Sequence, residues 1–222
     1  MADIPATVPT DAYELLHWNM VLAHDTFKLG YDKIVEVLAD PPMKDLPNFL
    51  GYCQAWAKSI EEHHNSEEAV VFPFLNEKMD FAGEVAQHKA VHAVLDELAA
   101  SLAASEADPA HFDAAALRAL MVRFREPLYT HLDDEVEHIR ASELRAAGFS
   151  EDALRGLVAR LEAYARAHGD PFLQVPFMRS HTPAAYKECW PPMPWVLRKV
   201  VVPYVLALRH AGYWKYAPYA MS

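Results

Sequence analysis

Cysteine is almost missing from this chain. Cys53 and Cys189 stand far apart, and two isolated thiols build neither a disulfide framework nor a CxxC zinc site. Glycine is scarce as well, with 7 in 222 residues. Alanine, leucine, glutamate and arginine are plentiful instead, which favours helix. Basic charge is in deficit: 20 Lys and Arg face 31 Asp and Glu, a net charge of −11. That balance argues against sequence-independent binding to nucleic acid, which needs a basic patch to displace counterions. No uninterrupted apolar run reaches membrane-spanning length. The nearest, "PWVLRKVVVPYVLALRH", is broken by Arg198 and Lys199. The opening "MADIPATVPTDAYELL" lacks the basic region and apolar core of a signal peptide. The expectation is a cytoplasmic protein with no nucleic-acid partner and no transmembrane segment, its oligomeric state open.

Apolar residues are abundant, at 52%, so a large core is available. Four long helical segments come first. Asp11 caps one running to about Leu38, and "DPPMKDLP" breaks it. The second covers about Asn48 to Lys78, the third Gly83 to Ala104, and the fourth Asp113 to Ala146, with Pro127 a kink. Ser150 opens a shorter helix that Gly169 stops. From Asp170 the chain is rich in proline and aromatics. It reads as an extended arm, then one helix and an aromatic tail. The expected fold is all-α: residues 11–146 form an up-and-down four-helix bundle, and residues 147–222 a helix and aromatic-rich arm packed on it.

Helix cores carry apolar residues at alternating spacings of three and four. The second helix gives Phe49, Cys53, Trp56 and Ile60, then His63 and Glu67, then Val70 and Phe74. The third gives His88 and His92 between Val85 and Leu95, and the fourth His131 and Glu135 after Leu128. The register puts His63 and Glu67 on the seam, and His64 and Glu68 on a more polar flank. On the first helix both His17 and His24 fall on the seam. Antiparallel neighbours meet at equal distance from their connecting loop, which selects His24; His17 lies two turns, roughly 10 Å, beyond. His17 and His138 read as core hydrogen-bonding groups at the margins. His111, His168, His181 and His210 read as structural or solvated.

Carboxylates buried without partners cost several kcal/mol each. No seam lysine or arginine stands near these to compensate. Metal cations would, and imidazole with carboxylate is a ligand set for iron, manganese or zinc. Residues at i and i+4 lie one above the other on a helix face, so each pair can converge on one ion.

The motifs "VLAHD", "EEHHNSEEAVVFP", "EVAQHKAVH" and "YTHLDDEVEHI" follow one another in this order. With them, residues 11–140 resemble the hemerythrin-like, HHE cation-binding family. The tract "FLGYCQAWAKSIEEHH" and the "WPPMPW" tail are most similar to its fungal branch. The resemblance implies a four-helix bundle around two iron ions, held by five histidines and two bridging carboxylates with an oxo or hydroxo bridge. One iron would take His88, His92 and His131. The other would take His24 and His63, with a position open to dioxygen or peroxide. Glu67 and Glu135 would bridge. One departure weakens the case for reversible oxygen carriage. The oxygen carriers place an aspartate five residues after the fourth-helix histidine, whereas Glu135 follows His131 by four.

Two functional readings lead. One is a non-haem di-iron protein that binds dioxygen or a reduced oxygen species, as a store or sensor. The other is a di-iron oxidoreductase acting on a small organic substrate in a pocket closed by the C-terminal extension. A purely structural metal module is a third.

Overall fold

A computed structural model describes residues 4–221. Helix α1 spans Ala12–Val37, and the Asp11 carboxylate accepts from the backbone N–H groups of Tyr13 and Glu14. Helix α2 spans Leu46–Ser66 and has Pro47 in its first turn, where the missing N–H costs nothing. It continues through a π-helical stretch, Glu67–Val71, into the short α3, Phe72–Leu75. Helix α4 spans Ala82–Ala107, and α5 spans Ala114–His138 with Asp113 as its cap and Pro127 inside it. Helix α1 packs on α2 and α5, and α4 packs on the same two. The four therefore close a ring in which sequence neighbours run antiparallel. Among the described residues there is no strand.

The fourth helix stops sooner than its sequence pattern predicts. It ends at His138 instead of Ala146, and α6, Ala141–Ala146, follows as a separate turn. Ile139 leaves helical geometry and is fully buried, and Arg140 is non-helical, with φ of −53° and ψ of 147°. Burying Ile139 redirects the chain so that α6 lies on α1. Gly148, with φ of 75°, then makes the left-handed turn that only glycine adopts without strain.

Helix α7, Glu151–His168, is capped by Ser150. The following stretch, expected to be extended, contains helix α8, Gln174–His181. Pro176 reads as a breaker in sequence, but it occupies the first turn, where proline is tolerated. Both α7 and α8 pack on α1 and α2. Phe177 of α8 is fully buried and stacks on Phe27, with ring centroids 6.3 Å apart. Buried Arg179 donates to the carbonyls of Lys187 and Trp190 and ties the following loop to α8. Beyond it, Leu197–Leu206 is π-helical, and the aromatic tail returns to the start of α2.

The core is in two parts. One contains Phe27, Ile34, Phe49, Trp56, Ile60, Leu95, Phe124 and Leu128. The other contains Leu16, Met20, Val71, Phe72, Phe81, Ile139 and Leu157. A fully buried leucine or phenylalanine contributes about 1.5–3 kcal/mol. These two apolar blocks supply the stability that lets the bundle carry a polar layer between them. Along α2 that layer falls between Ile60 and Val71, and along α5 between Leu128 and Ile139.

Candidate metal centre

Each helix of the ring sends side chains into the layer. His24 comes from α1, His63 and His64 from α2, Glu67 from the π-helical stretch, His88 from α4, and His131 and Glu135 from α5. Their donor atoms converge in two groups. His64, Glu67, His88 and His131 form one; His24, His63, Glu67 and Glu135 form the other. Within each group the atoms lie within 4.8 Å of one another, and Glu67 belongs to both.

The imidazoles share one orientation. Nδ1 of His24 donates to the carbonyl of Leu132 at 2.8 Å, and Nδ1 of His88 to the carboxylate of Glu68 at 3.0 Å. Nδ1 of His131 lies 3.4 Å from Oε1 of Gln87. Nδ1 of His64 lies 3.2 Å from Nε2 of His92. The outer nitrogen is thereby engaged and Nε2 is turned inward, the arrangement that fixes tautomer and ring angle in metal-ligating histidines. Inside, Nε2 of His24 sits 3.0 Å from Nε2 of His63 and 3.4 Å from Glu135. His63 Nε2 lies 2.8 Å from Glu67 Oε1.

Among the described residues, Nε2 of His64, His88 and His131 and all four carboxylate oxygens of Glu67 and Glu135 are buried without an aligned hydrogen bond, Glu67 Oε1 being close to His63 Nε2 but not bonded to it. Natural proteins rarely leave such atoms orphaned, because each costs about 1–3 kcal/mol. Cations between the two groups satisfy them all at once, and the imidazole–carboxylate donor set fits iron, manganese or zinc.

Burial sets the protonation of the metal-free layer. It drives Glu67 and Glu135 well above the usual carboxylate range, with the charge of Glu68 adding to Glu67 and that of Glu67 to Glu135. It pulls His63 and His88 down to about 4 and His131 to about 2, with His24 and His64 also well below their ordinary value. The imidazoles are therefore already in the neutral, ligating form. The carboxyls give up protons when a cation arrives.

Of the residues the sequence singled out, His24, His63, Glu67, His88, His131 and Glu135 are brought together. His92 is not in either group; it is half-buried and reaches His64. His64, expected on a polar flank, is fully buried. Helix α2 sits in a corner of the ring, so its inner stripe is wide enough for both. His63 turns toward Phe27 and His24 of α1, and His64 toward His88 and His131. The four-residue step from buried Ile60 to His64 was the available sign. Glu68 and Gln87 act from the rim and carry no sequence signal of their own. His138 pairs with Glu84 at 2.6 Å and stacks on Phe81, outside both groups. His181 is buried against Tyr52 and the Phe177 carbonyl, far along the chain's own packing and also outside them.

No solved structure matches the chain. A protein named "Dimeric xanthone biosynthesis cluster protein R11", from Cryptosporiopsis sp. (strain 8999), is 33% identical over 97 residues, which are 41% of this chain and 36% of that protein. The chain thus spans about a third of the length of that curated relative. Residues 16–141 match the hemerythrin HHE cation-binding domain, and they include every residue of both donor groups. The chain belongs to the hemerythrin HHE cation-binding domain family.

Proposed function

We propose that the layer holds two iron ions and that the protein binds dioxygen or a reduced oxygen species there. The observation that supports this is the set of orphaned buried donors, which two cations sharing Glu67 would satisfy. His64, His88 and His131 would hold one ion; His24, His63 and Glu135 the other. Glu67 would serve both, and Glu135 reaches both His24 and His131, at 3.4 and 3.8 Å. Iron held there would supply a redox-active centre for oxygen chemistry. The chain's own part is to keep the imidazoles neutral, to let Glu67 and Glu135 take up protons when metal leaves, and to exclude water with an apolar block on either side.

The second reading, an oxidoreductase acting on a small organic molecule, has its own support. Two cavities lie between the bundle and the C-terminal segment, and His63 lines both. The name of the curated relative mentions a biosynthesis cluster, which agrees with chemistry on a small molecule.

Protein loaded with ferrous iron without air and then exposed to dioxygen distinguishes these readings from inert metal. Oxygen uptake with new near-ultraviolet and visible bands is expected. A spectrum unchanged by air would overturn the oxygen reading. Uptake that recurs only with an added reductant and an organic compound would favour the oxidoreductase.

A further inference from the structure

The two cavities measure about 260 and about 250 Å³ and share His63, Leu161, Ala165 and Pro191 in their walls. They are adjacent compartments of one cleft. Its inner wall is α1 and α2, and its outer wall is α7, α8 and the Trp190–Met193 segment. Together they reach the size of ordinary small-molecule sites, about 300–1,000 Å³.

The chemistry of the walls narrows the occupant. Most lining side chains are apolar. Three of the polar ones are already committed to the protein. Ser59 donates to the Ala55 carbonyl, Ser66 to that of His63, and Asn19 joins the Leu15 carbonyl to the Trp190 indole. Among the described residues no lysine or arginine lines either cavity, whereas Glu62 and Glu162 do. A carboxylate or phosphate would meet two acids in the wall and no cation there, since Lys58 and Arg166 lie outside it and are paired to Glu62 and Glu162, at 3.3 and 3.4 Å. The rings of Tyr164 and His168 stack 4.0 Å apart on one wall and offer a flat face.

We infer that this cleft binds a flat, uncharged aromatic molecule and holds it against His63. His63 is the contact between cleft and metal layer: it lines both cavities, and its Nε2 faces Glu67 and His24. The position beside a metal rests on the function proposed above; the binding itself does not.

The test titrates the full-length protein with 2-naphthol, whose fluorescence reports a water-poor environment, and with 2-naphthoate, its anionic analogue. One saturable site for 2-naphthol per chain is expected, with 2-naphthoate weaker by about tenfold or more. Ala165→Trp fills the shared wall from an exposed helix position and should weaken 2-naphthol by about tenfold or more. Leu161→Phe crowds the same wall and should act in the same direction, which decides the matter if the tryptophan variant misfolds. Ala99→Trp, in a separate cavity lined by Gln54 and Lys58, should leave binding within about twofold. In the iron-loaded protein, 2-naphthol should shift the optical bands. Binding without saturation, equal binding of naphthoate, or indifference to both wall substitutions would overturn the cleft even if two irons are present. Saturable, wall-sensitive binding by a chain that takes up no metal would keep the cleft and overturn the metal function instead.

Discussion

The imidazoles of His64 and His88 lie face to face, ring centroids 4.0 Å apart and planes inclined by 14°. Two imidazolium ions would repel at that distance. Burial keeps both neutral, and the Nε2 atoms of both lack a hydrogen-bond partner. The stack makes His64 part of the layer, with His92 behind it.

This relationship separates two histidines that sequence alone ranked the other way. His64→Ala removes a donor from one group, so bound metal should fall toward one ion per chain even at saturating metal. His92→Ala removes only the group behind His64. It should leave stoichiometry intact and weaken affinity by about 10–100-fold. Metal titration followed by elemental analysis checks both. Loss of metal from His92→Ala with none from His64→Ala would restore His92 as the ligand.

Glu67 should cost the metal-free protein stability. Its carboxyl is fully buried, lacks a hydrogen-bond partner and is held far above its ordinary pKa. Glu67→Gln removes the titration and keeps the shape. The metal-free variant should unfold at a higher temperature than the parent at pH 8, by about 2–4 °C for each kcal/mol relieved. Its metal content should drop. Calorimetry of the two metal-free proteins is the check, and a lower midpoint for the variant would count against a buried acid.

The pH dependence has two opposed parts. Imidazoles with depressed pKa values, such as His63 and His88 at about 4, stabilise the fold above their unfolded value of 6.5, and this is lost as pH falls toward 4. Carboxyls with raised values do the reverse: their contribution is present below 4.5 and is lost as pH rises. Five imidazoles outnumber two carboxyls, so the metal-free midpoint should fall between pH 6.5 and 4. Protons compete with cations for the carboxyls of Glu67 and Glu135, so the rise in midpoint on adding metal should be larger at pH 8 than at pH 6. Thermal scans with and without metal across this range decide it; an equal rise at both values would place the metal elsewhere.

The aromatic tail makes a separable prediction. Tyr216 and Lys215 both donate to Asp45, at 2.8 and 3.0 Å, and with Asn48 they hold its carboxyl at about 2. A Cβ on Gly51 would come within 2.1 Å of the Tyr213 ring. Gly51→Ala should therefore lift the tail off α2 while the donor groups, further along that helix, keep their metal. Faster proteolysis of the C-terminal segment with unchanged metal content is the expected outcome. Loss of metal on tail release would show that tail and layer fold as one unit.

Much of this architecture was legible because long amphipathic helices announce themselves. Asp11, Asp113 and Ser150 cap helices as their residue types suggest, and a seam that is apolar until interrupted by His or Glu pointed to an interior polar layer. What stayed hidden depends on neighbours. His64 is buried because α2 has an interior partner on two sides, which a single-seam reading does not contain. The break at Ile139 follows from a second apolar block that attracts that side chain, and α8 carries in its first turn a proline that reads as a stop. The hydrogen bonds that His88 and His24 donate to Glu68 and to the Leu132 carbonyl join separate helices, and no local pattern encodes them.

Metal analysis of the native protein tests the central claim most directly. Two buried donor groups sharing Glu67 predict close to two metal ions per chain, iron foremost, with both lost when Glu67 is replaced by alanine. A reproducible single ion, or two ions that survive the loss of Glu67, would contradict a paired centre in this layer.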